Sequence, residues 1–219
     1  MRIAIIGGTG KEGKGLALRW ARAGHSVVIG SRDAGRAQQR ALELSQEYRV
    51  VLEGSSNDAI LAAAEVVVLA VPYAAHRETL LHFSKSLAGK ILVDITVPLS
   101  PPTIGEVCLP PGTSAALEGR ALAPKARYVA TLHHISSAHL SAVEREIDGD
   151  VLLCSDDEEA KDVVLPLLED LGVRAFDAGP LCNAIALESF TPVLIYLNER
   201  YQGSGTGVRL TGLPSGNAA

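Results

Sequence analysis

The chain has 219 residues, room for one generous domain or a domain with a small appendage, and too few for two full domains. With 47% hydrophobic and 21% charged residues it can bury an ample core, which excludes intrinsic disorder. A net charge of −5 and an aromatic content of 4% argue against a nucleic-acid or anionic-membrane partner.

Apolar runs of strand length recur along the chain. Most are continuous rather than alternating, as in strands buried on both faces of a parallel sheet. The first spans residues 3–6 and leads through a Gly-rich turn to a helix over 14–23, with Leu16, Ala17 and Trp20 on one face. Strands at 27–29, 50–52, 66–71 and 91–93 then alternate with helices at 34–48, 58–64 and 74–87. From Pro98 to Pro124 six prolines loosen the pattern, at 98, 101, 102, 110, 111 and 124, which predicts a long excursion with a short helix over 114–122. Strands at 128–132, 151–154 and 173–176 follow, the last two flanking a helix that reaches Leu171. Ser155 is its expected N-cap, and Asp156, Asp157, Glu158 and Glu159 complement its dipole. A last helix over 183–200 carries Leu187, Phe190, Val193, Leu194 and Leu197, an apolar face suited either to its own sheet or to a second copy in a homodimer. A Gly-rich tail, expected to be partly mobile, ends the chain. The alternation predicts an α/β, Rossmann-type doubly wound and mostly parallel sheet.

Three widely spaced cysteines, Cys108, Cys154 and Cys182, form no CxxC, so neither a disulfide framework nor a zinc site is expected. The expected compartment is a reducing cytoplasm. The opening apolar run is too short for a signal peptide, and no run approaches 18 uninterrupted apolar residues, so no membrane span is expected.

Gly7-Gly8-Thr9-Gly10-Lys11-Glu12-Gly13 sits between the first strand and the first helix, and Gly8, Gly10 and Gly13 satisfy GxGxxG. Gly8 is expected to permit the tight turn, Gly10 to admit a pyrophosphate, and Gly13 to allow close helix packing. The phosphates would rest on the amides of the helix N-terminus. Where an NAD site usually ends its second strand in Asp or Glu, this chain reads Gly30-Ser31-Arg32-Asp33, with Arg36 one turn on. Arg32 and Arg36 suit a 2′-phosphate, with Ser31 as a third donor, which points to NADP; Asp33 is the alternative, a ribose acceptor. Pro72 and Pro98 should end strands at the same cleft, and Asp94 reads as a residue at the edge of the core, satisfied by amides. Residues 1–150 are thus expected to form the NADP-binding domain, and 151–219 a small extension completing the cleft for a second substrate.

The opening Arg2 to Gly10 stretch with Gly13-Lys14-Gly15-Leu16-Ala17, then Gly30-Ser31-Arg32, Leu132-His133, Asp177-Ala178-Gly179-Pro180-Leu181 and Glu188-Ser189-Phe190-Thr191-Pro192, resembles the NADPH-dependent coenzyme F420 reductases. The resemblance covers nearly the whole chain. It implies hydride exchange between NADP(H) and the deazaflavin coenzyme F420 as co-substrate. It places Thr9 to Glu12 on the pyrophosphate, Ser31, Arg32 and Arg36 on the 2′-phosphate, and Val71, Pro72, Val97 and Ser137 beside the nicotinamide. It places His133, Ile135 and the stretch with Glu188, Ser189, Thr191 and Pro192 around the deazaflavin. The protein would then stack the two rings and need no firm catalytic residue, His133 being the one candidate to hold or protonate the oxidised ring.

Two positions depart from the family's pattern: Ile185 stands where a basic residue is expected, and Cys182 where a Ser is. Two other readings therefore stand beside the first: an NADP-dependent reductase of a flavin, ferric chelate or imine, and a non-catalytic NADP(H)-sensing module. On a strand, His133 and His134 would point to opposite faces, so only one is expected to face the cleft. They have no third ligand at zinc-like spacing, and no metal is expected.

Overall fold

All eight apolar runs become strands of a single sheet in the computed structural model, which describes residues 1–111 and 113–213. In chain order the elements are β1 (Arg2–Ile6), α1 (Lys11–Arg22), β2 (Ser26–Ser31), α2 (Ala34–Tyr48), β3 (Leu52–Ser56) and α3 (Asn57–Ile60). Next come β4 (Val66–Leu69), α4 (Tyr73–Phe83), β5 (Ile91–Asp94), α5 (Ala115–Leu122), β6 (Arg127–Thr131) and α6 (Ser137–Ser141). β7 (Asp150–Ser155), α7 (Glu158–Glu169), β8 (Arg174–Asp177) and, after a short 3-10 turn, α8 (Ala184–Arg200) complete the chain.

The sheet order is β3-β2-β1-β4-β5-β6-β7-β8. The order reverses between β1 and β4, where a doubly wound sheet opens its ligand crevice at the carboxyl ends of the strands. Every pairing is parallel except β6 with β7. The strand interiors read apolar throughout because both faces are covered. Ile3, Ile5, Val27, Ile29, Val66 and Val68 pack with Leu16 and Trp20 on one face. Ala4, Ile6, Val28, Val67 and Leu69 pack with Leu80, Phe83 and Leu87 on the other. Each fully buried Leu or Ile contributes about 1.5–3 kcal/mol.

α6, which the sequence reading missed, packs on α1. Its anchor is Arg19, 7% exposed. The Arg19 guanidinium donates to the carbonyls of His139, Leu140, Ala142, Arg145 and Leu171 at 2.9–3.0 Å.

Three local expectations change. β3 begins at Leu52 rather than residue 50, because Arg49 closes α2 in the left-handed region and Val51 is left 83% exposed. Ser155 ends β7 instead of capping α7: its hydroxyl donates to the Tyr128 carbonyl, and Asp157 takes the cap by accepting from the Ala160 amide. The tail is tied down as far as Leu210, since Val208 accepts from the Asp150 amide and the Leu210 amide donates to the Asp150 carboxylate; residues 214–219 lie outside the described part. Leu181–Arg200 is, by length and a mean hydropathy of 1.2, apolar enough to cross a membrane, because its average is apolar although Glu188 interrupts it. Its apolar face is divided: Leu187 and Leu194 are buried in the fold, and Phe190 and Val193 are exposed.

Candidate active site

β1 runs into Gly7, whose φ of +75° lies in the left-handed region, costly for any residue with a Cβ. A Cβ there would also stand 2.4 Å from the Ala70 carbonyl oxygen. The tight turn therefore falls to Gly7 rather than Gly8, which lies against Ile29. Gly13 meets Gly8 backbone to backbone, where a Cβ would come within 2.6 Å of the Gly8 Cα. Thr9 is half-buried within this turn. Gly10 is the N-cap of α1 and supplies no side-chain bond, so the first amides of the helix stay open to a phosphate.

At the end of β2, Ser31 is buried and its hydroxyl accepts from the Asp33 amide. Asp33 is the N-cap of α2, its Oδ1 accepting from the Arg36 amide at 3.1 Å. Arg32 and Arg36 are exposed beside it and make no ion pair among the described residues. Two free guanidinium groups at the lip of a phosphate turn suit a dianion.

A cleft of about 540 Å³ continues from the glycine turn. Gly10, Lys11 and Glu12 of the turn, Val71, Pro72 and Val97 after the strand ends, and Ser137 beside Glu12 line it. His133, Ile135 and Thr191 line its far end. Of the sequence-derived set these residues line the cleft together; Gly8, Thr9 and Gly13 shape the turn, and Ser31, Arg32, Arg36, Glu188, Ser189 and Pro192 lie outside the lining. Tyr73, Thr96, Asn198 and Glu199 also line the cleft, and so do Gly205 and Thr206 of the tail. Asn198 holds that tail by accepting from the Gly205 amide at 2.8 Å. No local motif announces these residues; they meet only when α8 and the tail fold back.

The far end departs most from expectation. β6 stops at Thr131, and Leu132 takes φ +67°, so His133 and His134 do not lie on a strand and both line the cleft. Their rings stand 6.4 Å apart and nearly perpendicular. Burial, with His134 close by, pushes His133 down to about 3, and burial pushes His134 down to about 4. Both imidazoles are therefore neutral at ordinary pH. Both ring nitrogens of His133, Nδ1 of His134 and the Thr96 hydroxyl are buried without a hydrogen-bond partner. Such orphaned groups cost roughly 1–3 kcal/mol each. They fit uncharged, planar, polar rings better than an anion. No group of His, Cys, Asp or Glu able to hold a metal occurs among the described residues.

Glu188 does not reach the cleft. It is fully buried, and its two carboxylate oxygens accept from the Ala115 and Ala116 amides at 2.7 and 3.0 Å, capping α5. Burial, opposed by those amides, pushes it up to about 7. Ser189 turns its hydroxyl back to the Ile185 carbonyl, and Pro192 is buried within α8. Of that stretch Thr191 alone lines the cleft, its hydroxyl donating to the His133 carbonyl at 2.8 Å. Ile185 lies outside the lining at 36% exposure, so its departure from the family pattern does not alter the cleft wall.

Comparison with known proteins gives the family. A family model described as coenzyme F420-dependent NADP oxidoreductase matches residues 2–98. The F420-dependent NADP reductase of Methanothermobacter thermautotrophicus is 40% identical, over 98% of this chain and 96% of the relative. That of Methanocaldococcus jannaschii is 36% identical, over 97% and 99%. A crystal structure of a candidate F420-dependent NADP reductase from Arthrobacter sp. FB24 superposes with a TM-score of 0.81 at 30% identity, over 95% of this chain and 98% of that one.

Proposed function

The chain belongs to the family of coenzyme F420-dependent NADP oxidoreductases, an enzyme that uses NADP(H) and coenzyme F420, and we propose the arrangement by which it joins them. The glycine turn and the open amides of α1 hold the pyrophosphate of NADP(H), with Thr9, Lys11 and Glu12 around it. Ser31, Arg32 and Arg36 hold the 2′-phosphate. Val71, Pro72, Val97 and Ser137 border the nicotinamide. His133, Ile135 and Thr191, joined by His134, receive the deazaflavin.

When bound, the two substrates supply the redox chemistry themselves, a hydride passing directly between nicotinamide and deazaflavin. The residues of this chain bind, orient and keep water out. Neutral His133 and His134 offer N–H donors and acceptors without placing a charge beside the rings. At their depressed pKa they do not serve as proton donors near neutrality, so a proton balancing the transfer comes from solvent. The free thiols Cys108, Cys154 and Cys182 support work in a reducing cytoplasm.

The observation that carries this reading is a single cleft with an anion-binding turn at one end and orphaned neutral nitrogens at the other. The test is a stopped-flow experiment with NADPH deuterated at C4, followed by mass analysis of the reduced deazaflavin. Complete retention of the label is expected. Label lost to solvent would overturn direct transfer.

A further inference from the structure

We propose that Asp94 is the positioning residue of the nicotinamide end, its carboxylate fastening together the segments that follow β4 and β5 and the strand β6 that leads to the third wall of that part of the cleft. The inference rests on the proposal that Val71, Pro72 and Val97 border the nicotinamide.

Asp94 is the last residue of β5 and is 1% exposed. Its Oδ1 accepts from the Thr96 amide at 3.0 Å, an Asx turn that fixes how the chain leaves the strand just before Val97. Its Oδ2 accepts from His76 Nε2 at 2.7 Å and from the Tyr128 hydroxyl. His76 lies in the first turn of α4, which Pro72 opens as N-cap. Tyr128 lies on β6, just upstream of the Leu132 turn that sets His133. One carboxylate therefore meets the wall after β4, the wall after β5 and the strand that delivers the third wall.

The bonds are charge-assisted. Burial pulls His76 down, but the hydrogen bond and charge of Asp94, with Glu188 and Glu118 nearby, leave it above its ordinary value. Burial pushes Asp94 up, yet His76, Tyr128 and Thr96 hold it below the usual carboxylate range. α5 makes room for the arrangement. A Cβ on Gly119 would stand 1.8 Å from the Tyr128 hydroxyl oxygen, so only glycine there lets that hydroxyl reach Asp94. A side chain that merely filled the core would need neither three converging donors nor this vacancy opposite one of them.

The test compares ligands that differ in the nicotinamide. Calorimetric binding of NADP+ and of 2′,5′-ADP, which lacks the nicotinamide half, is measured for the wild-type protein and for Asp94→Asn, Tyr128→Phe and Gly119→Ala. Asp94→Asn is expected to weaken NADP+ about tenfold and leave 2′,5′-ADP unchanged, and to slow single-turnover hydride transfer about 100-fold. Tyr128→Phe and Gly119→Ala, which leave the Asp94–His76 pair in place, should slow transfer about fivefold with 2′,5′-ADP binding intact. They decide the matter if Asp94→Asn does not fold. Equal losses for both ligands, or folded variants with wild-type NADP+ binding and transfer rate, would overturn the role. Absence of transfer in the wild-type protein would instead count against the proposed function, and the binding ratio would still judge Asp94.

Discussion

At one end of the cleft, Arg32 and Arg36 stand in solvent beside a turn built of glycine. At the other, His133 and His134 are sunk in an apolar wall and carry no charge. In the proposed arrangement the first end binds by charge on short local segments. The second binds by excluding water and leaving a few neutral polar atoms unspent, which requires several distant elements to be in place beforehand. Exposed charge gives affinity that a single substitution removes. Buried neutrality ties binding to the stability of the fold.

The sharpest break in this contrast is the double variant Arg32→Ala/Arg36→Ala. Two charge-assisted contacts to a phosphate make about a 100-fold rise in Kd for NADPH the expected result, with NADH binding unchanged. Fluorescence titration with both nucleotides checks it, and equal losses for the two would favour Asp33 as a ribose acceptor instead.

At the buried end the expected effect is on stability. The His133 and His134 imidazoles titrate near 6.5 when unfolded and at about 3 and 4 in the fold. Their contribution is full above pH 6.5 and is lost as the pH falls toward those values. Roughly 5 kcal/mol of their joint contribution should disappear between pH 6.5 and 4. Glu12 and Glu188, each raised to about 7, act in the opposite sense, losing stability as the pH climbs from 4.5 to 7. Urea unfolding at stepped pH measures the slope, and His133→Gln/His134→Gln should remove the acid-side loss, leaving stability that only falls as the pH climbs from 4.5 to 7. An unchanged slope would mean the rings are not desolvated.

Glu12 stands where the two ends meet, in the first turn of α1 and in the cleft lining. Burial, opposed by hydrogen bonds from Ser137, raises it to about 7. Below that pH it is neutral beside the pyrophosphate, and above it the carboxylate repels the phosphates. Wild-type Kd for NADP+, taken relative to Glu12→Gln at each pH to cancel the ligand's own titration, should rise about tenfold from pH 6 to 8.5. A flat ratio would place the carboxylate away from the phosphates.

The smallest effect is expected at Ile185, outside the lining. Ile185→Arg should change KM for coenzyme F420 by less than about twofold, within the range of an exposed charge. A larger gain would extend the deazaflavin end to the head of α8.

The same contrast decides how much could be read from the sequence. The phosphate turn and the Gly30–Arg36 lip were legible because their residues lie within a few positions of one another and their roles follow from local backbone geometry. The strands were legible because both faces of the sheet are covered, which makes their sequences continuously apolar. The far end was not. In sequence His133 and His134 read as neighbours on one strand, but the left-handed Leu132 ends it and both line the cleft. Glu188 sits in a family motif yet caps a helix 73 residues earlier in the chain. Asp94 meets partners 18 and 34 residues away, a spacing that no periodicity reports.

The cage of carbonyls around Arg19 sets an order of assembly. Four of its five acceptors lie in residues 139–145 and the fifth at Leu171, at sequence separations of 120 to 152. During synthesis β1, α1 and β2 emerge first and can form the phosphate turn early. The α6 wall has no arginine to wrap until its own residues follow, and the cage stays incomplete until Leu171 has left the ribosome. The helix that presents the open amides is thus fastened only once residues 139–171 are in place, so the glycine turn and the distant wall of the cleft are secured together.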